Sequence, residues 1–233
     1  MKSPSCILLL LVSALAVAEA EPPRILIIGD DIYRQPAQAT AKELRDRVEL
    51  VHAKVPTGAV LHTGLSTEVL DEMLGDGKWD LIHFNFGLGD LVYRAPGMDS
   101  IRVLPMDAGG VRVTSPAAYE ANLRAIVARF RKTGAMLVWA STTPIRASAS
   151  NIFAMGSEIE YNAIAAKVMA EENVPINDMY TQVRSLIDMT KPAGHGADPF
   201  FFDRKPLEPF IVQCIQQTLN LPDALEAAPP QEK

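Results

Sequence analysis

Apolar and polar positions along this chain fall into two rhythms. Three short runs carry almost no polar position: Arg24–Ile28 (RILII), Leu81–Phe86 (LIHFNF) and Met136–Ala140 (MLVWA). Each stops at a glycine or a small polar residue, namely Gly29, Gly87 or Ser141. A run with no polar face predicts a strand covered on both sides, as in a parallel sheet. Val48–Ala53 and Pro175–Asn177 read as two shorter strands. The stretches between them repeat at helical spacing: 36–46, 67–74, 115–132, 155–172, 180–189 and 206–219. In 67–74 the apolar positions are 69, 70, 73 and 74. Ser115 is an N-cap ahead of Pro116, and Gly134 is a stop signal. Strands alternating with helices, without internal repeats, predict one α/β domain: five parallel strands with helices on both faces.

Ligands of such sheets bind beyond the carboxyl ends of the strands. That directs attention to the loops after Ile28, Phe86, Ala140 and Asn177, and to the loop 190–202. A further irregular section, 90–114, contains Pro96, Gly97, Pro105, Gly109 and Gly110. Loops of that length commonly carry function or are disordered.

The ends read differently. Lys2, the apolar run Ile7–Val17 and Ala18-Glu19-Ala20 match a secretory signal peptide whose core is short for a membrane span. The expectation is cleavage before Glu21, a 21–220 domain that is secreted or periplasmic and free of the membrane, and a disordered Pro/Ala/Glu-rich tail, 221–233. Cys214 is then the lone cysteine, without an internal disulfide partner, and reads as a small hydrophobe on an apolar helix face.

Composition narrows the partners. Of 233 residues, 48% are hydrophobic and 21% charged, enough for a sizeable core. The net charge of −6 argues against a nucleic-acid partner. Aromatic residues are 6%, so no aromatic-lined sugar groove is advertised.

Five blocks, in order, carry a resemblance. Ile28-Gly29-Asp30-Asp31 resembles the Gly-Asp-Ser block that opens the SGNH (GDSL-type) hydrolases. Trp79–Asp90 (WDLIHFNFGLGD) is similar to the Gly-x-Asn-Asp block, and closer still to a secreted bacterial branch of that family. Tyr119–Pro144, ending in Thr142-Thr143-Pro144, resembles that branch's helix–strand segment. Tyr161-Asn162-Ala163 and Pro175–Asp178 fit its later part. Asp198-Pro199-Phe200-Phe201-Phe202 stands where the family has Asp-x-x-His. The resemblance covers about residues 24–220. It implies a flavodoxin-like three-layer sandwich and, for the family, ester hydrolysis without a cofactor.

The family's chemistry needs a hydroxyl nucleophile, an imidazole to take its proton, a carboxylate to orient the imidazole, and oxyanion donors. By the resemblance, the nucleophile position holds Asp31, the base position Phe201 and the oxyanion Asn position Gly89. Asp198, the orienting carboxylate, is retained. The second-block glycine is Gly58 or Gly64. A carboxylate is a poor acyl-transfer nucleophile, and phenylalanine moves no proton. The expectation is therefore a catalytically impaired protein with a pocket formed by Asp30, Gly58, Gly64, Asn85, Gly87, Asp90 and Arg94, holding a small polar or carbohydrate ligand. The alternative is an active carbohydrate-ester hydrolase with a rearranged site, in which Asp31 works with His195 or a bound cation. Asp30, Asp31 and Asp198 are the oxygen ligands such a cation would find. Salt bridges to Arg34, Arg94 or Arg146 are the plainer way to balance those carboxylates. A third reading makes this an interaction protein whose pocket is filled by Phe200, Phe201 or Phe202. His83 reads as a core residue, and His52 and His62 as residues of the early loops.

Overall fold

A computed structural model describes residues 21–98, 102–148, 150–192 and 204–221. The three apolar runs form the centre of one parallel sheet: β1 (Arg24–Ile28), β3 (Leu81–Phe84) and β6 (Met136–Ala140). β2 (Glu49–His52) and β7 (Ile176–Asn177) flank them, giving the order β2-β1-β3-β6-β7. All four pairings are parallel. This is the flavodoxin-like strand order, in which the chain changes direction between β1 and β3. Every β3 residue is buried, whereas β2 alternates exposed and half-buried, as an edge strand does.

Helices cover the sheet on both sides. α1 (Asp31–Glu43) packs on the last helix, α7 (Glu208–Leu219), and α4 (Pro116–Arg131) packs on α5 (Ser157–Glu171). Neighbouring residues of β3 point to opposite layers. The His83 ring lies 6.1 Å from Tyr33 of α1, while Phe84 meets Phe130 of α4 edge-on at 5.3 Å. α2 (Thr67–Leu74) and α6 (Met179–Leu186) complete the layers. Trp79 ties the end of α2 to the sheet by donating its indole N–H to the Leu74 carbonyl, 2.8 Å away. Among the described residues no helix is long and apolar enough to cross a membrane.

Two expectations change. The first helix begins at Asp31 rather than 36. Asp30 caps it, and Pro36 is accommodated inside it, buried, although proline cannot donate to the carbonyl four residues back. The 90–114 section is not structureless. It contains the end of a short helix, α3 (Leu88–Leu91), a hairpin-like antiparallel pair of β4 (Tyr93–Arg94) and β5 (Val111–Arg112), and a 3₁₀ turn at Met106–Ala108. Two-residue strands carry no readable period, which is why the pattern alone misses them.

Candidate active site

The site is built at the carboxyl ends of β1 and β3. After β1 the chain turns at Gly29, where a Cβ would lie 2.6 Å from the Tyr33 ring. Asp30 is half-buried and caps α1, its carboxylate accepting from Ile32 N at 2.9 Å. Such a cap stabilises by about 1 kcal/mol. Burial pushes the Asp30 carboxyl up to about 6, against the opposing pull of the Ile32 N–H and the Arg204 charge.

Asp31, which the resemblance puts in the nucleophile position, is the first residue of α1 and points outward with its side chain 67% exposed. Arg34 lies 3.1 Å from its carboxylate and Arg204 3.5 Å. Arg204 also donates to the Asp31 backbone carbonyl at 3.0 Å, so it fixes the start of α7's approach to α1. Of the cations expected to balance these carboxylates, Arg34 does so. Arg94 instead donates to the Met98 carbonyl, and Arg146 to that of Pro192.

His52 ends β2 and stands at the same rim, lining a recess shared with Asp31 and Arg34. Its Nε2 lies 3.2 Å from the Gly29 carbonyl, so Nε2 carries the proton and donates there. Burial depresses its pKa, against the opposing pull of the Gly29 carbonyl and the Asp31 charge. His62 accepts at Nδ1 from Gly64 N and is likewise depressed by burial, then by the Arg94 charge.

After β3, Asn85 turns inward. It is buried and donates to the Ala140 carbonyl at 2.8 Å, joining the ends of β3 and β6. A Cβ on Gly87 would lie 2.0 Å from Thr142 Oγ1, so this glycine makes room for the threonine of the Thr-Thr-Pro segment. Asp90 is fully buried rather than at the rim. It accepts from Thr63 N at 2.9 Å and from Thr63 Oγ1 at 2.5 Å. Burial raises it to about 6, and the Thr63 hydroxyl moderates the rise.

The Thr63–Asp90 clamp draws the 60–64 segment onto α3. Its consequence appears at Gly89, which the resemblance puts in the oxyanion-Asn position. A Cβ there would stand 1.9 Å from the Leu61 carbonyl oxygen and 2.8 Å from its carbon. Backbone occupies the volume that any side chain at residue 89 needs. The Ile32 N–H, next in the chain after Asp31, already donates to Asp30.

Between these elements lies a crevice of about 280 Å³. Its walls are Val60, Leu61, Leu88, Val92, Val103 and Phe153, with Asp30, Asp31 and Arg204 on one side. Of the residues expected to form a pocket, Asp30 is among its lining. Gly58, Gly64, Asn85, Gly87, Asp90 and Arg94 are not among its lining. The polar ligand expected from the blocks thus meets a largely apolar wall. Val60 and Leu61 had no block to mark them, and Val103 and Phe153 come from irregular chain; only folding brings them together. Asp198, Phe201 and His195 lie outside the described residues, as do Phe200 and Phe202. Among the described residues, no three His, Cys, Asp or Glu side chains converge as metal ligands.

No protein-family profile matches the sequence, and no curated protein matches it. Solved structures do match in shape. A lipase/acylhydrolase from Enterococcus faecalis superposes with a TM-score of 0.60 at 16% identity, over 84% of this chain and 96% of that one. The acetyl xylan esterase AlAXEase gives 0.57 at 12%, over 82% and 99%. A mutant of Axe2, an acetyl-xylooligosaccharide esterase from Geobacillus, gives 0.60 at 14%, over 86% and 95%. At these identities the likeness establishes the fold, which is that of the SGNH hydrolases.

Proposed function

We propose that this chain is an exported SGNH-fold protein that binds a small ligand in its crevice without hydrolysing it. The observation that carries the reading is the Leu61 carbonyl seated on Gly89. It excludes a side-chain donor from the place where the family's oxyanion Asn belongs. Such donors are worth about 3–4 kcal/mol of transition-state stabilisation. A carboxylate held by Arg34 and Arg204 in the nucleophile position points the same way.

The walls of the crevice favour an apolar group, and its size favours a short one. At about 280 Å³ it sits at the lower limit of small-molecule sites, roughly 300–1,000 Å³. A short acyl group, presented on a larger polar carrier that stays outside, fits both. Carbohydrate esters are one such carrier, and the esterases that share the fold act on acetylated xylan by their names.

The purified 21–233 protein should turn over p-nitrophenyl acetate and butyrate with kcat/KM below about 10 M⁻¹s⁻¹, against roughly 10⁴–10⁸ for working enzymes. Calorimetry should still detect butyramide or hexanoate binding, weakened in Leu88→Asp. Turnover at an enzyme-like rate that disappears in Asp31→Ala or His195→Ala would establish the rearranged hydrolase instead. Export has its own check. Expressed in a bacterial host with its leader, the chain should be recovered outside the cytoplasm with Glu21 as its first residue by mass spectrometry. An intact Met1 in the cytoplasmic fraction contradicts it.

A further inference from the structure

A second cavity, of about 720 Å³, lies along β6, β7 and α7 and shares no lining residue with the crevice. Its floor is Val138 of β6 and Ile176 of β7, with Phe210 and Cys214 of α7 facing them. Its polar lining is unusual in kind. Asn177, Gln182, Gln213 and Gln217 place four carboxamides around one groove. Phe210, Gln213, Cys214 and Gln217 follow the i, i+3, i+4, i+7 spacing of a single helix face. A face that would be expected to close on the sheet edge with apolar side chains carries glutamines instead.

One carboxamide oxygen there, Gln182 Oε1, is buried with no partner among the described residues. Asn177 is 6% exposed and held rigidly, because its Nδ2 donates to His83 Nε2 at 3.1 Å. A buried acceptor left unmet costs free energy, about 1–3 kcal/mol, that a donor-bearing ligand recovers. No lysine or arginine is among the residues that line the groove, which disfavours an anion. The one carboxylate, Asp178, is engaged at Oδ1, which accepts from Ser141 Oγ and Thr181 N at the start of α6.

We propose that this groove binds a neutral, hydroxyl-rich ligand of mono- or disaccharide size. Each hydroxyl both donates and accepts, and each carboxamide offers both in a fixed fork. The volume lies within the range of small-molecule sites, and Phe210 supplies an apolar surface for a sugar's C–H face.

The test is isothermal titration of the 21–233 protein with xylobiose, cellobiose and N-acetylglucosamine, and with spermidine and phenyl phosphate as charged probes. At least one sugar should saturate. Gln182→Met and Gln213→Met, which keep side-chain length and remove the amide, should each weaken it about tenfold or more. Gln213 is exposed, so that variant should fold as the parent does, with an unchanged urea midpoint. Asp31→Ala in the crevice should leave the affinity unchanged. The proposal is overturned if no sugar saturates by about 20 mM, if both methionine variants bind as the parent does, if Asp31→Ala abolishes binding, or if a charged probe binds in preference.

Discussion

Replacing Gly89 by alanine should lower the free energy of unfolding by about 3 kcal/mol or more, and Gly89→Asn at least as much. The added Cβ would meet the Leu61 carbonyl at 1.9 Å, a distance no real contact tolerates. The obstacle is backbone, so no rotamer change relieves it. The 60–64 segment would have to lift, and lifting it pulls Thr63 from Asp90. That would take the Thr63 amide and hydroxyl donors from a buried carboxylate, a second cost on top of the clash. Gly58→Ala is the control. Its φ of +86° strains any side chain, but nothing lies within 4 Å of the new Cβ, so it should cost only about 1 kcal/mol. Urea unfolding of the three proteins measures the difference. If Gly89→Ala falls within about 0.5 kcal/mol of the parent, the 60–64 segment moves freely, and the argument that residue 89 cannot carry an oxyanion donor fails with it.

The second large effect is on pH. His83 is fully buried on β3, and desolvation lowers its ring to about 4 from an ordinary value near 6.5. Asn177 donates to Nε2, so Nδ1 carries the proton and lacks a partner among the described residues. The folded state binds this proton less readily than the unfolded chain. The stability it confers is therefore complete above about pH 6.5 and drains away as pH falls toward about 4. At 1.36 kcal/mol per unit that is about 3 kcal/mol.

Asp90 works in the opposite sense. Burial raises it to about 6, so its contribution is complete below the unfolded value near 3.8 and is lost as pH rises through about 6. Asp30, raised by the same cause, adds to that side. Between pH 4 and 6 the His83 slope offsets only part of the slope of the two aspartates, so the parent loses stability as pH rises. His83→Gln should steepen that fall, and Asp90→Asn, which leaves His83 opposed by Asp30 alone, should nearly flatten it. Urea midpoints at half-unit steps from about pH 4 to 7.5 test both. Parallel curves for parent and variants would mean that neither group titrates as its burial requires.

The sheet was legible because burial on both faces leaves a simple mark. RILII, LIHF and MLVWA have no polar side and became the three central strands. His83 read as a core residue and is one, and Cys214 is a half-buried thiol whose pKa burial raises to about 11. What failed to show depended on contacts between distant segments. The helical spacing was read from residue 36 onward, while the feature that sets the start is the Asp30 carboxylate reaching Ile32 N. Asp90 resembled a rim carboxylate beside Asp30 and Asp31, but Thr63, 27 residues away, draws it inside. Gly89 could be read as the loss of a donor. Its second meaning, a bare surface on which Leu61 rests, required the fold. Val60, Leu61, Val103 and Phe153 carried no chemical mark at all, and they make most of the crevice wall.

The brevity of β7 bears on how this molecule keeps apart from its neighbours. A sheet margin is a template on which other chains can grow. Here, among the described residues, that margin is Ile176 and Asn177, with Pro175, which has no amide hydrogen to offer, immediately before them. Two residues present too short a ladder for a stranger's backbone to zip against, so the fold resists fibril-like growth on this side through geometry rather than charge.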